Sequence, residues 1–171
     1  MKKRSAVAAI PAAFPFPYGG SVMELFDLGP ITAKLCHPTR GLGWPLKRAE
    51  RAVEQYRRWL WLVAVYPDVP LPPTRDVDQV WHVHILDTAK YAEDCQVIFG
   101  RLLHHNPYAG WESAEAEAKH QADFKRMKAL HARHFGESLR GRAGLCVGGY
   151  CDKDVGADTW RPTSRPLRQA A

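Results

Sequence analysis

Apolar residues recur at spacings of three and four along three stretches of the chain, and each stretch predicts a helix. The first places Leu46, Ala49, Val53, Tyr56, Leu60 and Val63 on one face. Pro45 suits a first helical position, where a missing N–H costs nothing, and the helix stops before Pro67. Residues 68–73 then form a Pro-rich connector that cannot be helical. The second stretch starts at Thr74 and carries Val77, Val80, Trp81, Ile85, Thr88, Tyr91, Ala92, Cys95, Ile98 and Phe99. That stripe is too broad for a surface helix, so this is expected to be the most buried element. Asp87 and Thr88 can cap a restart inside it, which leaves either one helix or two joined at a kink. Gly100 and then Asn106-Pro107 end it. The third stretch, 113–135, repeats Ala116, His120, Phe124, Met127, His131 and His134 along one side. Shorter helices are expected at 21–28 and 31–36.

No segment alternates as a half-buried strand would, so the fold class is all-α. The expected architecture is a small helical domain of three main helices plus short additional ones, spanning residues 21–136. Residues 1–20 read as a disordered, basic and Pro-rich arm, and residues 137–171 as a flexible tail containing Gly, Cys and Arg.

Composition narrows the function classes. With 171 residues, 46% hydrophobic and 25% charged, the chain is large enough to bury one core without disulfides or a structural metal. Its apolar runs are far below membrane-spanning length, so no membrane association is expected. The net charge of +6 is dispersed rather than gathered in one block, which makes nucleic acid an unlikely partner. An acidic protein partner is the alternative, met by the basic stretch 47–58 with Lys47, Arg48, Arg51, Arg57 and Arg58. The basic opening is followed by Pro11, Pro15 and Pro17, which interrupt the apolar run a secretory signal needs, so a cytoplasmic location is expected. The 4 cysteines are irregularly spaced and form no disulfide framework. Cys146 and Cys151 read as free thiols in a loop, since their spacing is not that of a zinc knuckle.

Polar chemistry is concentrated in the second helical stretch, where Asp76, Asp78, Asp87, Glu93 and Asp94 face a single base, Lys90. His82 and His84 sit in this acidic island, and His104 and His105 follow it. Neutral imidazole is a common ligand for zinc, iron and copper. On a regular helix residues two apart point to nearly opposite sides, so His82 and His84 cannot share one ion there, whereas Asp78 and His82, four apart, can converge. His84 shares the face of Val80, Tyr91 and Ile98 and is expected to point into the core, with Asp87 or Tyr91 as its partner. The candidate metal ligands are therefore Asp78, His82, His104 and His105. His84, Asp87, Tyr91 and Asp94 would support those ligands or form a core network. Zinc or iron suits such a nitrogen and oxygen donor set. No catalytic residue and no organic cofactor site can be named, and whether the chain is an enzyme is left open.

The string Asp78-x-x-Trp81-His82-x-His84-Ile85-Leu86-Asp87-Thr88-x-x-Tyr91-x-x-Asp94-Cys95-x-x-x-Phe99-Gly100, followed by His104-His105-x-Pro107, resembles bacterial members of the glycine-rich domain-containing protein family. The plant relatives carry an Asp-x-x-Trp-His-x-His segment in a domain of unknown function. The likeness covers roughly residues 45–136 and implies no particular reaction. The family's long glycine-rich extension is reduced here to residues 141–149. Two functions stand at this point. One is a small helical protein whose His/Asp-rich polar site binds a transition metal. The other is a non-catalytic interaction module in which the same cluster is a structural core network.

Overall fold

The structure is a computed structural model that describes residues 27–137 and 139–144. Five helices follow one another along the chain: α1 (Gly29–Cys36), α2 (Leu46–Val65), α3 (Arg75–Leu86), α4 (Thr88–Phe99) and α5 (Ala114–Phe135). The all-α class read from the periodicity is what the described residues show. The short helix expected at 21–28 falls mostly outside them, and Asp27 and Leu28 are not helical. Among the described residues no helix is long and apolar enough to cross a membrane.

Each helix boundary has a local chemical cause. Pro45 stands one position ahead of α2 as its N-cap rather than inside it. Thr74 caps α3 by accepting the Val77 N–H, and Ser113 caps α5 by accepting that of Ala116. Glu115 and Glu117 in the first turn of α5, and Arg133 and His134 in its last, complement the helix dipole. Gly100 and Gly136 end α4 and α5 in the left-handed region, at φ +68° and +74°, which glycine enters without a Cβ clash.

The long second stretch is two helices. Asp87 leaves helical geometry at φ −86°, ψ +73°, and its side chain does not cap the restart. The break folds α4 back so that residues far apart on a straight helix meet. Ten residues of continuous helix would span about 15 Å. Here Trp81 Nε1 donates to Tyr91 Oη at 2.9 Å, and His84 Nε2 lies 3.0 Å from Asp94 Oδ2.

The core forms where α1 and α3 pack on α2, α4 packs on α3, and α5 closes against α2. Trp59 and Trp81 are fully buried with ring centroids 4.7 Å apart, beside Tyr56, Leu62, Val77, Val80 and Met127. The Pro-rich connector is held into this core, since Leu71 is buried and its carbonyl accepts Trp59 Nε1–H at 2.8 Å. After α5 the chain turns back. Leu139 is buried, and Ala143 forms an antiparallel bridge with Thr74. Arg75 N–H donates to the Arg142 carbonyl and Gly144 N–H to that of Pro73. Residues 139–144, assigned to the tail on sequence grounds, thus lie against the start of α3.

Candidate metal centre

Three donor atoms converge at one end of α3. Asp78 and His82, one helical turn apart, bring Asp78 Oδ1 and His82 Nε2 to 3.7 Å. His105 arrives from the segment after α4, with its Nε2 at 3.3 Å from Asp78 Oδ1 and 2.9 Å from His82 Nε2. Asp78, His82 and His105 form a group able to hold a metal ion. Donors bound to one tetrahedral ion at about 2.0–2.1 Å stand roughly 3.3–3.4 Å from one another. The three observed separations bracket that value.

His105 is positioned by a chain of contacts that begins on α3. Trp81 donates to Tyr91 Oη, Tyr91 donates in turn to the Leu103 carbonyl, and Leu103 is buried two residues before His105. The His105 ring then packs against the Trp81 ring, centroids 4.5 Å apart. His104 is exposed and does not join the group. Exposure falls across the three donors, from 44% for the His82 side chain to 13% for His105 and 5% for Asp78. The site therefore opens to solvent on the His82 side and is closed behind Asp78.

Gly144 closes it. A Cβ at that position would stand 2.9 Å from Asp78 Cβ and 3.2 Å from Oδ2. Oδ2 is thus the oxygen nearer position 144, and Oδ1 the one near the imidazoles. The Gly144 carbonyl accepts the His120 Nε2–H of α5 at 3.0 Å.

The remaining candidates build a separate network inside the core. His84 is buried, with Nδ1 3.0 Å from Tyr56 Oη. On the other side of the ring, Asp94 Oδ2 lies 3.0 Å from Nε2. Tyr56 O–H donates to Nδ1 when the ring proton sits on Nε2, the side facing Asp94. Burial pushes the His84 pKa down, while the Asp94 charge opposes that shift. Burial likewise pushes the Tyr56, Tyr91 and Cys95 pKa values up, which keeps all three protonated. Asp87 is exposed at the helix break, where its backbone N–H donates to the His84 carbonyl and its charge acts on the His84 ring. Asp94 also pairs with Lys90 at 3.0 Å.

Sequence reasoning missed two participants, Tyr56 and Gly144. Tyr56 stood only as an apolar-stripe residue of α2, although it is the hydroxyl partner of His84. Gly144 gave no pattern that links it to Asp78, and His120 stood only as one histidine of the α5 stripe, any of which could have completed the site. Of the histidines along α5, His120 and His131 are buried.

The profile of the UCP032817-like family matches residues 46–140, more than half of the chain, and the chain belongs to that family. It is similar to glycine-rich domain-containing protein 2 of Arabidopsis thaliana, 29% identical over 85 residues, which is 46% of this chain and 11% of that protein. Glycine-rich domain-containing protein 1 of the same plant is 33% identical over 61 residues, 33% of this chain and 7% of that protein. The chain thus spans about a tenth of these relatives or less. No solved structure matches.

Proposed function

We propose that this member of the UCP032817-like family is a small helical metal-binding domain, in which Asp78, His82 and His105 hold one divalent transition-metal ion. The observation that supports this most is the convergence of Asp78 Oδ1, His82 Nε2 and His105 Nε2 to within 2.9–3.7 Å of one another. Two imidazole nitrogens at 2.9 Å must either share one proton or be bridged by a cation. His105 Nε2 faces His82 Nε2 and Asp78 Oδ1 together, and a single ring proton cannot point at both. An ion among the three would take one lone pair from each of these donor atoms and set a positive charge beside the Asp78 carboxylate.

The nitrogen and oxygen donors suit zinc or iron. Three protein ligands leave one or more positions for water or a substrate atom, and the exposure of His82 puts that opening toward solvent. A metal bound there would polarise such a ligand and lower the pKa of a bound water. The chain's own part is to fix the donor geometry and to keep one side of the ion dry.

The competing interaction-module reading is favoured by the buried Tyr56–His84–Asp94 network, which has the contacts of a packing device. On that reading the partner is an acidic protein met by α2. Arg48 pairs with Asp76, and Arg58 pairs with Glu54 and Glu137, which leaves Lys47 and Arg51 exposed as the available charges.

Metal analysis of protein purified without an affinity tag decides between the two. The expected result is about one zinc or iron per chain, lost in Asp78→Ala, His82→Ala and His105→Ala. His104→Ala should bind within about twofold of wild type, and Cys95→Ser should be unchanged. Stoichiometric metal in a variant lacking all three donors would overturn the assignment.

A further inference from the structure

We propose that His120 and Gly144 are positioning residues for the metal centre, and that residues 141–144 act as a strap that sets the Asp78 carboxylate for its ion. This rests on the metal-binding reading above and adds to it the part of the chain that makes the site competent.

The strap meets Asp78 by backbone rather than by side chain. Gly144 lies so close that a Cβ there would stand 2.9 Å from Asp78 Cβ, 3.1 Å from Cγ and 3.2 Å from Oδ2. Contacts under 3.0 Å are not tolerated, so any larger residue at 144 must displace the carboxylate or the strap. Position 144 thus lies on the Cβ, Cγ and Oδ2 side of Asp78, while Oδ1 is the oxygen near His82 and His105. That is a one-oxygen ligand held ready before the ion arrives.

The strap is in turn held from two sides. Its bridge to Thr74 fixes it along the start of α3. His120, buried on α5, donates Nε2–H to the Gly144 carbonyl at 3.0 Å. The direction of that bond fixes the ring proton on Nε2, and Nδ1 is left buried with no hydrogen-bond partner. An imidazole buried at the expense of one bare nitrogen is an unfavourable choice for packing alone.

His120 also lies beside the segment that follows His105. Gly110, at φ +83°, lies so close that an added Cβ would stand 3.3 Å from His120 Cβ. His120 therefore joins the loop following one ligand to the strap behind another. Outer contacts of this kind hold a ligand in place, and removing them typically lowers metal affinity by about 10- to 100-fold.

The test uses the full-length, tag-free chain and two probes: zinc, titrated against a chromophoric chelator, and cobalt(II), whose visible absorption reports coordination geometry. Gly144→Ala and His120→Ala are expected to bind zinc about tenfold or more weakly and to change the cobalt spectrum. His120→Gln, which restores an N–H near the Nε2 position, should recover affinity to within about threefold. Thermal melts by circular dichroism must show each variant folded at the titration temperature. If His120→Ala does not fold, Gly144→Ala and His120→Gln carry the test. Wild-type affinity and spectrum in folded Gly144→Ala and His120→Ala, with Asp78→Ala unable to bind, would overturn the positioning role and leave the metal site standing. No zinc bound by the wild-type chain would overturn both.

Discussion

His84 and His82 are two residues apart on one helix and live in different worlds. His82 is half-exposed and turned toward His105, whereas His84 is buried between Tyr56 and Asp94. Replacing His84 by alanine leaves the Tyr56 hydroxyl unpaired in the core and should cost about 1–3 kcal/mol of stability. Zinc affinity should be unchanged, because the His84 ring pairs with Tyr56 and Asp94, neither of which is one of the three donors. Urea denaturation and a zinc titration on the same variant check both halves of that statement, and a stable variant with weakened zinc binding would contradict them. The separation of the two histidines was legible in the sequence, since helical period alone sends residues two apart to opposite sides. The convergence of Asp78 and His82 was legible for the same reason. Which of His104 and His105 turns inward was not, because outside a helix no period fixes direction.

The break at Asp87 is the element-scale feature that periodicity located without resolving. Its apolar stripe reads the same through one helix or two, so the pattern predicted His84 beside Asp87 or Tyr91, as a straight helix would place them. The folded pair keeps Tyr91 against the His84 ring, centroids 5.1 Å apart, and adds Asp94, which the stripe did not point to. A proline scan tests this geometry. Thr88 opens α4, where proline is tolerated, so Thr88→Pro should change stability by less than about 1 kcal/mol. Glu93 lies inside α4 and is exposed, and Glu93→Pro should cost about 3 kcal/mol or more. Equal losses in the two variants would mean that the helix runs through residue 87. The strap was illegible for a related reason. Residues 139–144 have no apolar period, and their binding to α3 is made by backbone groups that every residue carries.

At the scale of the whole molecule, three histidines tie stability to pH. His84, His131 and His134 each have a pKa lowered from the ordinary 6.5, in every case chiefly by burial. The unfolded chain takes up these protons near 6.5 while the folded chain resists, so the unfolded state binds more protons in the window below that value. Stability is therefore full above about 6.5 and falls as pH drops through the lowered folded pKa values. The melting temperature of metal-free protein should decrease from pH 7 to pH 5, and an increase would contradict the burial of these rings. The bridge between Thr74 and Ala143 has a consequence of another kind. The first N–H groups of a helix have no partner within it, yet the Arg75 amide at the start of α3 is bonded to the Arg142 carbonyl, and the Gly144 amide to that of Pro73. These two amides are shielded only while the strap is seated. Their hydrogen exchange should proceed at one common rate, faster than that of the α2 interior, and so report the local opening free energy of the site's rear wall independently of global unfolding. An ion on Asp78 would slow both together.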